Sequence, residues 1–87
     1  VKEARKAMFS AMISEKVPGR DFLDMDKLAE LSDGLSGGEI KNSIVIALSA
    51  AVSRKGDLQK VSQKDFEEGI GSTKKAKKDV GRYDYDG

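Results

Sequence analysis

The chain contains no cysteine, no histidine and no tryptophan. Without cysteine it forms no disulfide and offers no thiolate nucleophile. Without histidine as well, the usual nitrogen and sulfur ligands of zinc are missing, and so is the commonest general base. Long apolar runs are also absent. The longest, Ile44 to Val52, is short and broken by Ser49, so it cannot span a bilayer. Charge of one sign does not accumulate: 16 basic residues face 15 acidic ones, for a formal net charge of +1. That balance gives no general reason to expect nucleic acid or an acidic membrane as partner. The phosphate-cradling pattern G-x-x-x-x-G-K-[ST] does not occur. No secretory signal opens the chain, and with the missing cysteines this leads us to expect a cytoplasmic location. The first residue is Val1 and helical pattern begins at once, which suggests a piece of a longer protein or a processed chain.

What is present is a small, highly charged domain. Its 87 residues support one domain that buries roughly 60% of its unfolded surface. The most informative stretch is Gly34-Leu35-Ser36-Gly37-Gly38-Glu39-Ile40. Gly34 suits the left-handed conformation that ends a helix. Ser36 followed three residues later by Glu39 forms an S-x-x-E capping box. Two glycines then occupy the first helical turn, where propensity favours almost any other residue. They leave a bare, donor-rich helix start that a ligand could approach closely.

The spacing predicts an all-α domain of four helices. The first runs from about Val1 to Lys16, with Ala4, Ala7, Met8, Ala11 and Met12 at helical intervals and Phe9 and Ile13 beside them. This apolar arc is wide enough for one core face and a second contact. Pro18 stops the helix by disfavouring helical geometry at Val17. Phe22 and Leu23 are expected to plug the core from the loop that follows. Asp24 caps a short helix from Met25 to Leu31, with Leu28, Ala29 and Leu31 as buried candidates. The third helix, Gly37 to about Arg54, carries Ile40, Ile44, Ala47, Leu48, Ala51 and Val52 on one face. Arg54 and Lys55 favour its C-terminal dipole and Gly56 closes it. After a connector over Asp57 to Val61, Ser62 and Asp65 give a second capping signal for a short helix through Phe66 to Ile70, weakened by Gly69 and Gly71. The domain is thus read as residues 1–71. Residues 72–87, with Lys74, Lys75, Lys77 and Lys78 and almost no apolar content, read as a frayed or disordered basic, polar tail.

These features resemble the C-terminal helical lid of an AAA+ ATPase, in the branch with S-G-[AG]-[DE] at the sensor-2 position. The resemblance covers about Glu3 to Ile70. It rests on the Arg5-to-Phe9 helix, Asp24-x-Asp26-x-Leu28-Ala29, the Gly34-to-Ile40 stretch, the Ala-rich helix ending in Arg54, and Val61-Ser62-x-x-Asp65-Phe66. It implies a lid folded over ATP or ADP bound to an upstream P-loop domain, with Mg²⁺ held only by that domain. Gly37 and Gly38 would lie against adenine and ribose, and Met8 and Met12 would line the base pocket as polarizable, adaptable surface. Movement of the lid with nucleotide state would act on neighbouring subunits, usually in a hexamer, for remodelling or unfolding of a protein substrate. Where relatives often carry Ala this chain has Gly38, and where many carry His it has Met12. No arginine stands at Gly38 to reach a terminal phosphate.

Walker A, Walker B, sensor-1 and arginine-finger segments are all absent, so the chain alone should not hydrolyse ATP. No catalytic residue and no metal ligand is assigned within it. Each singled-out residue also has a plainer reading. Gly37 and Gly38 could be a tight helix start against another helix, and Met8 and Met12 ordinary core. Arg5 and Arg54 read as surface or structural pairs. Glu67, Glu68, Asp24 and Asp26 read as solvated or capping carboxylates. Tyr83 and Tyr85 could stack on bases and the tail lysines could touch phosphates, but Asp79, Asp84 and Asp86 dilute that charge, so nucleic acid is not expected as partner. The rival to a lid is a stand-alone helical module that binds a protein or, through its tail, nucleic acid. Such a module has no need of two glycines opening its longest helix.

Overall fold

The computed structural model describes residues 1–54 and 60–86, with side chains through residue 79. Lys55, Gly56 and part of the Asp57-to-Val61 connector, together with the Tyr83 and Tyr85 side chains, lie outside the described residues. Four α-helices follow one another: α1 Lys2–Met12, α2 Met25–Leu31, α3 Gly37–Ser53 and α4 Gln63–Asp86, with a 3₁₀ turn at Arg20–Phe22. The all-α class expected from the spacing is what the chain forms. α3 packs mainly on α4, α1 on α2 and α3, and α2 touches α4.

α1 ends at Met12 rather than Lys16, because Ile13 turns to extended backbone (φ −93°, ψ 108°). Ile13 is buried, and Arg20 folds back to serve the carbonyls left open by the early stop. Its Nε donates to the Ile13 carbonyl at 2.9 Å and its Nη2 to the Ser10 carbonyl at 3.0 Å. A residue remote in sequence thus does the work of a C-cap. Gly19 makes the return possible. Its φ is +92°, and a Cβ there would collide with the Val61 backbone. The Val61 amide also donates to the Pro18 carbonyl at 2.9 Å, so the α1–α2 loop is pinned to the entry of α4. Within that loop one expectation fails: Phe22 is 90% exposed. The 3₁₀ turn points it outward, and of the two only Leu23 packs on the core.

Local capping explains the next two boundaries. Asp24 accepts from the Lys27 amide at 3.1 Å and opens α2 as expected. Gly34 takes φ +90°, and the Ser36–Glu39 capping box forms in both directions, at 3.2 Å and 2.8 Å. The core gathers Phe9, Ile13, Leu28, Leu35, Ile40, Ile44, Ala47, Ala51, Val61, Phe66 and Ile70. Val52 is not among them and is exposed. It sits about 120° around α3 from Ile40 at 100° per residue, off the buried stripe. Ser43 fills the opposite margin of that stripe and is buried.

α4 is the largest departure. Ser62 and Asp65 cap it reciprocally, at 3.3 Å and 3.0 Å, but the helix continues far past Ile70 to Asp86. Residues 72–79 are helix rather than frayed tail, for a physical reason. Gly69 lets α4 lie against α3, since a Cβ there would stand 2.5 Å from the Ser43 carbonyl oxygen. One turn on, Thr73 is buried and accepts from the Ser43 hydroxyl at 2.9 Å. Polar contacts, not apolar ones, carry the helix onward.

Candidate functional site

The start of α3 is the candidate site. Gly34 in the left-handed region reverses the chain, Leu35 drops into the core, and Ser36 opens the helix. The Glu39 amide and the Ile40 amide are taken by Ser36, at its side chain and its carbonyl. Among the described residues, the Gly37 and Gly38 amides have no acceptor. They are the free donors that a helix start leaves.

The two glycines have different surroundings. A Cβ at Gly37 would stand 3.7 Å from Sδ of Met8, so the structure lays Met8 over Gly37. Met8 is half-buried and packs on the core beneath. At Gly38 an added Cβ would meet no described atom within 4 Å. Met12, one turn further along α1, is 42% exposed. Met8 and Gly37 are therefore brought together, Gly38 adjoins them with open space before it, and Met12 continues the exposed methionine side of α1. Ala4, Ala7 and Ala11 are exposed too, which leaves a second, shallow apolar face on this helix.

Electrostatics at the turn favour a fixed carboxylate. The Ser36 amide, and after it the Lys77 ammonium, hold the Glu39 carboxyl below its ordinary value of 4.5. Lys77 donates from α4 to Glu39 Oε1 at 3.2 Å and to the Gly34 carbonyl at 2.9 Å. It was grouped in sequence with the solvated tail. A signal was available, because Gly69, Thr73 and Lys77 recur at steps of four, the spacing of one helix face.

Other charged residues have structural partners. Arg5 donates to the Ala29 carbonyl at 2.9 Å and pairs with Asp33 at 3.4 Å. Arg54 grips both oxygens of Asp65, at 2.8 Å and 2.6 Å, and also the Lys60 carbonyl. That grip holds the Asp65 carboxyl below its ordinary value and ties the end of α3 to the start of α4. Asp26 pairs with Lys6 at 3.1 Å. Glu68 faces Lys64 one turn back on α4, at 3.8 Å.

A family model for the AAA+ lid domain matches residues 23–68, more than half of the 87. The chain belongs to the AAA+ lid family. No curated protein and no solved structure gives a significant match. The family match contains the α2 cap, the glycine turn, all of α3 and the Arg54–Asp65 pair. α1 with its methionines and Lys77 fall outside it. No helix among the described residues is long and apolar enough to cross a membrane.

Proposed function

We propose that this lid closes over ATP or ADP held by an upstream P-loop domain, with Gly37, Gly38, Met8 and Met12 as its nucleotide-facing surface. The observation that carries this reading is the open space at Gly38. No positive φ requires glycine there and no neighbouring atom forbids a side chain. Glycine in a helix costs about 0.5–1 kcal/mol relative to alanine. A bare backbone with free amides, facing outward beside a methionine, suits close approach of a flat polar ligand from outside the domain. Without an arginine at this turn, the lid contributes packing and backbone donors, and phosphate and Mg²⁺ chemistry belong to the P-loop domain.

Coupling to neighbouring subunits in a ring, with remodelling of a protein substrate as the outcome, has support in a groove that runs from the same turn along α3 and α4. Val45 and Ile46 are exposed large apolar residues on α3. With Asn42, Ser72, Thr73 and Ala76, and with the Glu39–Lys77 pair at its end, they line a groove of about 440 Å³ between α3 and α4. Apolar surface of this kind suits a protein neighbour. It would serve a stand-alone module equally well, so the decisive test lies at the glycine.

That test is Gly38→Trp in the intact ATPase. Because the fold leaves space at this position, the lid should keep its melting temperature while nucleotide affinity falls at least about tenfold, the factor of 1.4 kcal/mol. Unchanged affinity and turnover would show the contact to be wrongly assigned and leave the interaction module as the better account.

A further inference from the structure

We infer that the part of α4 beyond the family match is a strap on the start of α3, with Lys77 as a positioning residue for the glycine turn. The inference deepens the nucleotide reading and rests on it for its functional consequence. α3 and α4 run antiparallel in register. Gly69 lies against Ser43 and Ala47 of α3, Thr73 bonds Ser43, and Lys77 bonds Glu39. Each turn forward along α4 meets a residue one turn back along α3. The series begins with a backbone approach that only glycine permits. It ends at the turn carrying Gly37 and Gly38.

At that end the Lys77 ammonium bridges two points of the turn. It holds the carbonyl of Gly34, the left-handed residue that reverses the chain, at 2.9 Å. It also holds the carboxylate of Glu39, which itself accepts from the Ser36 amide at 2.8 Å. One cation thereby fixes the glycine two residues before the capping box and the glutamate that completes it. The six-residue stretch from Gly34 to Glu39, within which Gly37 and Gly38 stand, is thus clamped at both ends from another helix. Charge-assisted bonds of this kind are stronger and more directional than neutral ones. Lys77 lies nine residues past the end of the match to the family at residue 68, so the match does not include this contact.

The test uses Lys77→Met, which keeps the apolar stem and removes the charge, beside Lys77→Arg, which keeps donors in place. Amide hydrogen exchange on the 87-residue chain reads the turn, and nucleotide affinity of the intact ATPase reads the consequence. Lys77→Met should speed exchange of the Ser36 and Glu39 amides about fivefold and leave Ile44 and Phe66 unchanged. It should raise the nucleotide KM several-fold with kcat little altered, and Lys77→Arg should restore most of both. Unchanged exchange at Ser36 and Glu39 would overturn the strap whatever the nucleotide does. Faster exchange with unaltered affinity would overturn the positioning role. The nucleotide reading itself is judged separately by Gly38→Trp, so the two failures are told apart.

Discussion

At the scale of single residues, three glycines separate what the fold needs from what it leaves free. Gly19 has a positive φ and no room for a Cβ, and Gly69 presses on the Ser43 carbonyl. Gly19→Ala and Gly69→Ala should each destabilise by about 1–3 kcal/mol, through strain and overpacking. Gly38→Ala has neither problem and should be neutral or stabilise by up to about 1 kcal/mol. Urea denaturation midpoints of the three variants check this, and a Gly69→Ala protein as stable as the parent would contradict the close helix approach. The sequence shows Gly69 only as a weak spot near a helix end, because helix propensity speaks of the isolated helix. Its role as a contact point arises from a neighbour 26 residues earlier, Ser43. Gly34 was legible for the opposite reason: its left-handed turn is a local demand that a capping serine two residues on makes readable.

At the scale of elements, local signals located starts better than ends. Asp24, the Ser36–Glu39 box and the Ser62–Asp65 pair each open a helix as the sequence indicates. The ends of α1 and α4 were set from a distance. Arg20 reaches back to finish α1, and the Ser43–Thr73 and Glu39–Lys77 contacts carry α4 through a segment with almost no apolar residues. Hydrophobic periodicity cannot see a helix held by a serine, a threonine and a lysine. The Arg54–Asp65 pair joins the two long helices at their other end. Asp65 is 8% exposed there, so Asp65→Asn should cost about 1–3 kcal/mol at neutral pH. Arg54 first, and the Ser62 amide after burial is overcome, hold the folded carboxyl below its ordinary 3.8. A carboxyl depressed on folding stabilises above its unfolded value, and that contribution is lost as pH falls through the folded one. The stability gap between wild type and Asp65→Asn should therefore be full above about pH 5 and close progressively below about pH 4. Urea midpoints measured across that range check the sign. A gap that widens on acidification would mean the pair is not formed as described.

At the scale of the whole molecule, the chain is an AAA+ lid whose two long helices are fastened at both ends. The Arg54–Asp65 pair closes one end and Lys77 the other. Between the fastened ends one side exposes Val45 and Ile46. The start of α3 exposes Gly38 beside Met8 and Gly37. Fastening of this kind suits the proposed lid, in which nucleotide at one surface would shift a neighbour at another. The central claim is that the glycine turn and the α1 methionines face the base. Photo-labelling of the intact ATPase with an azido-adenine nucleotide, followed by peptide mapping, tests it most directly. The account predicts adducts within residues 8–12 of α1 and 36–40 at the start of α3, suppressed by excess ATP. Labelling confined to other segments, with these two peptides unmodified, would contradict it.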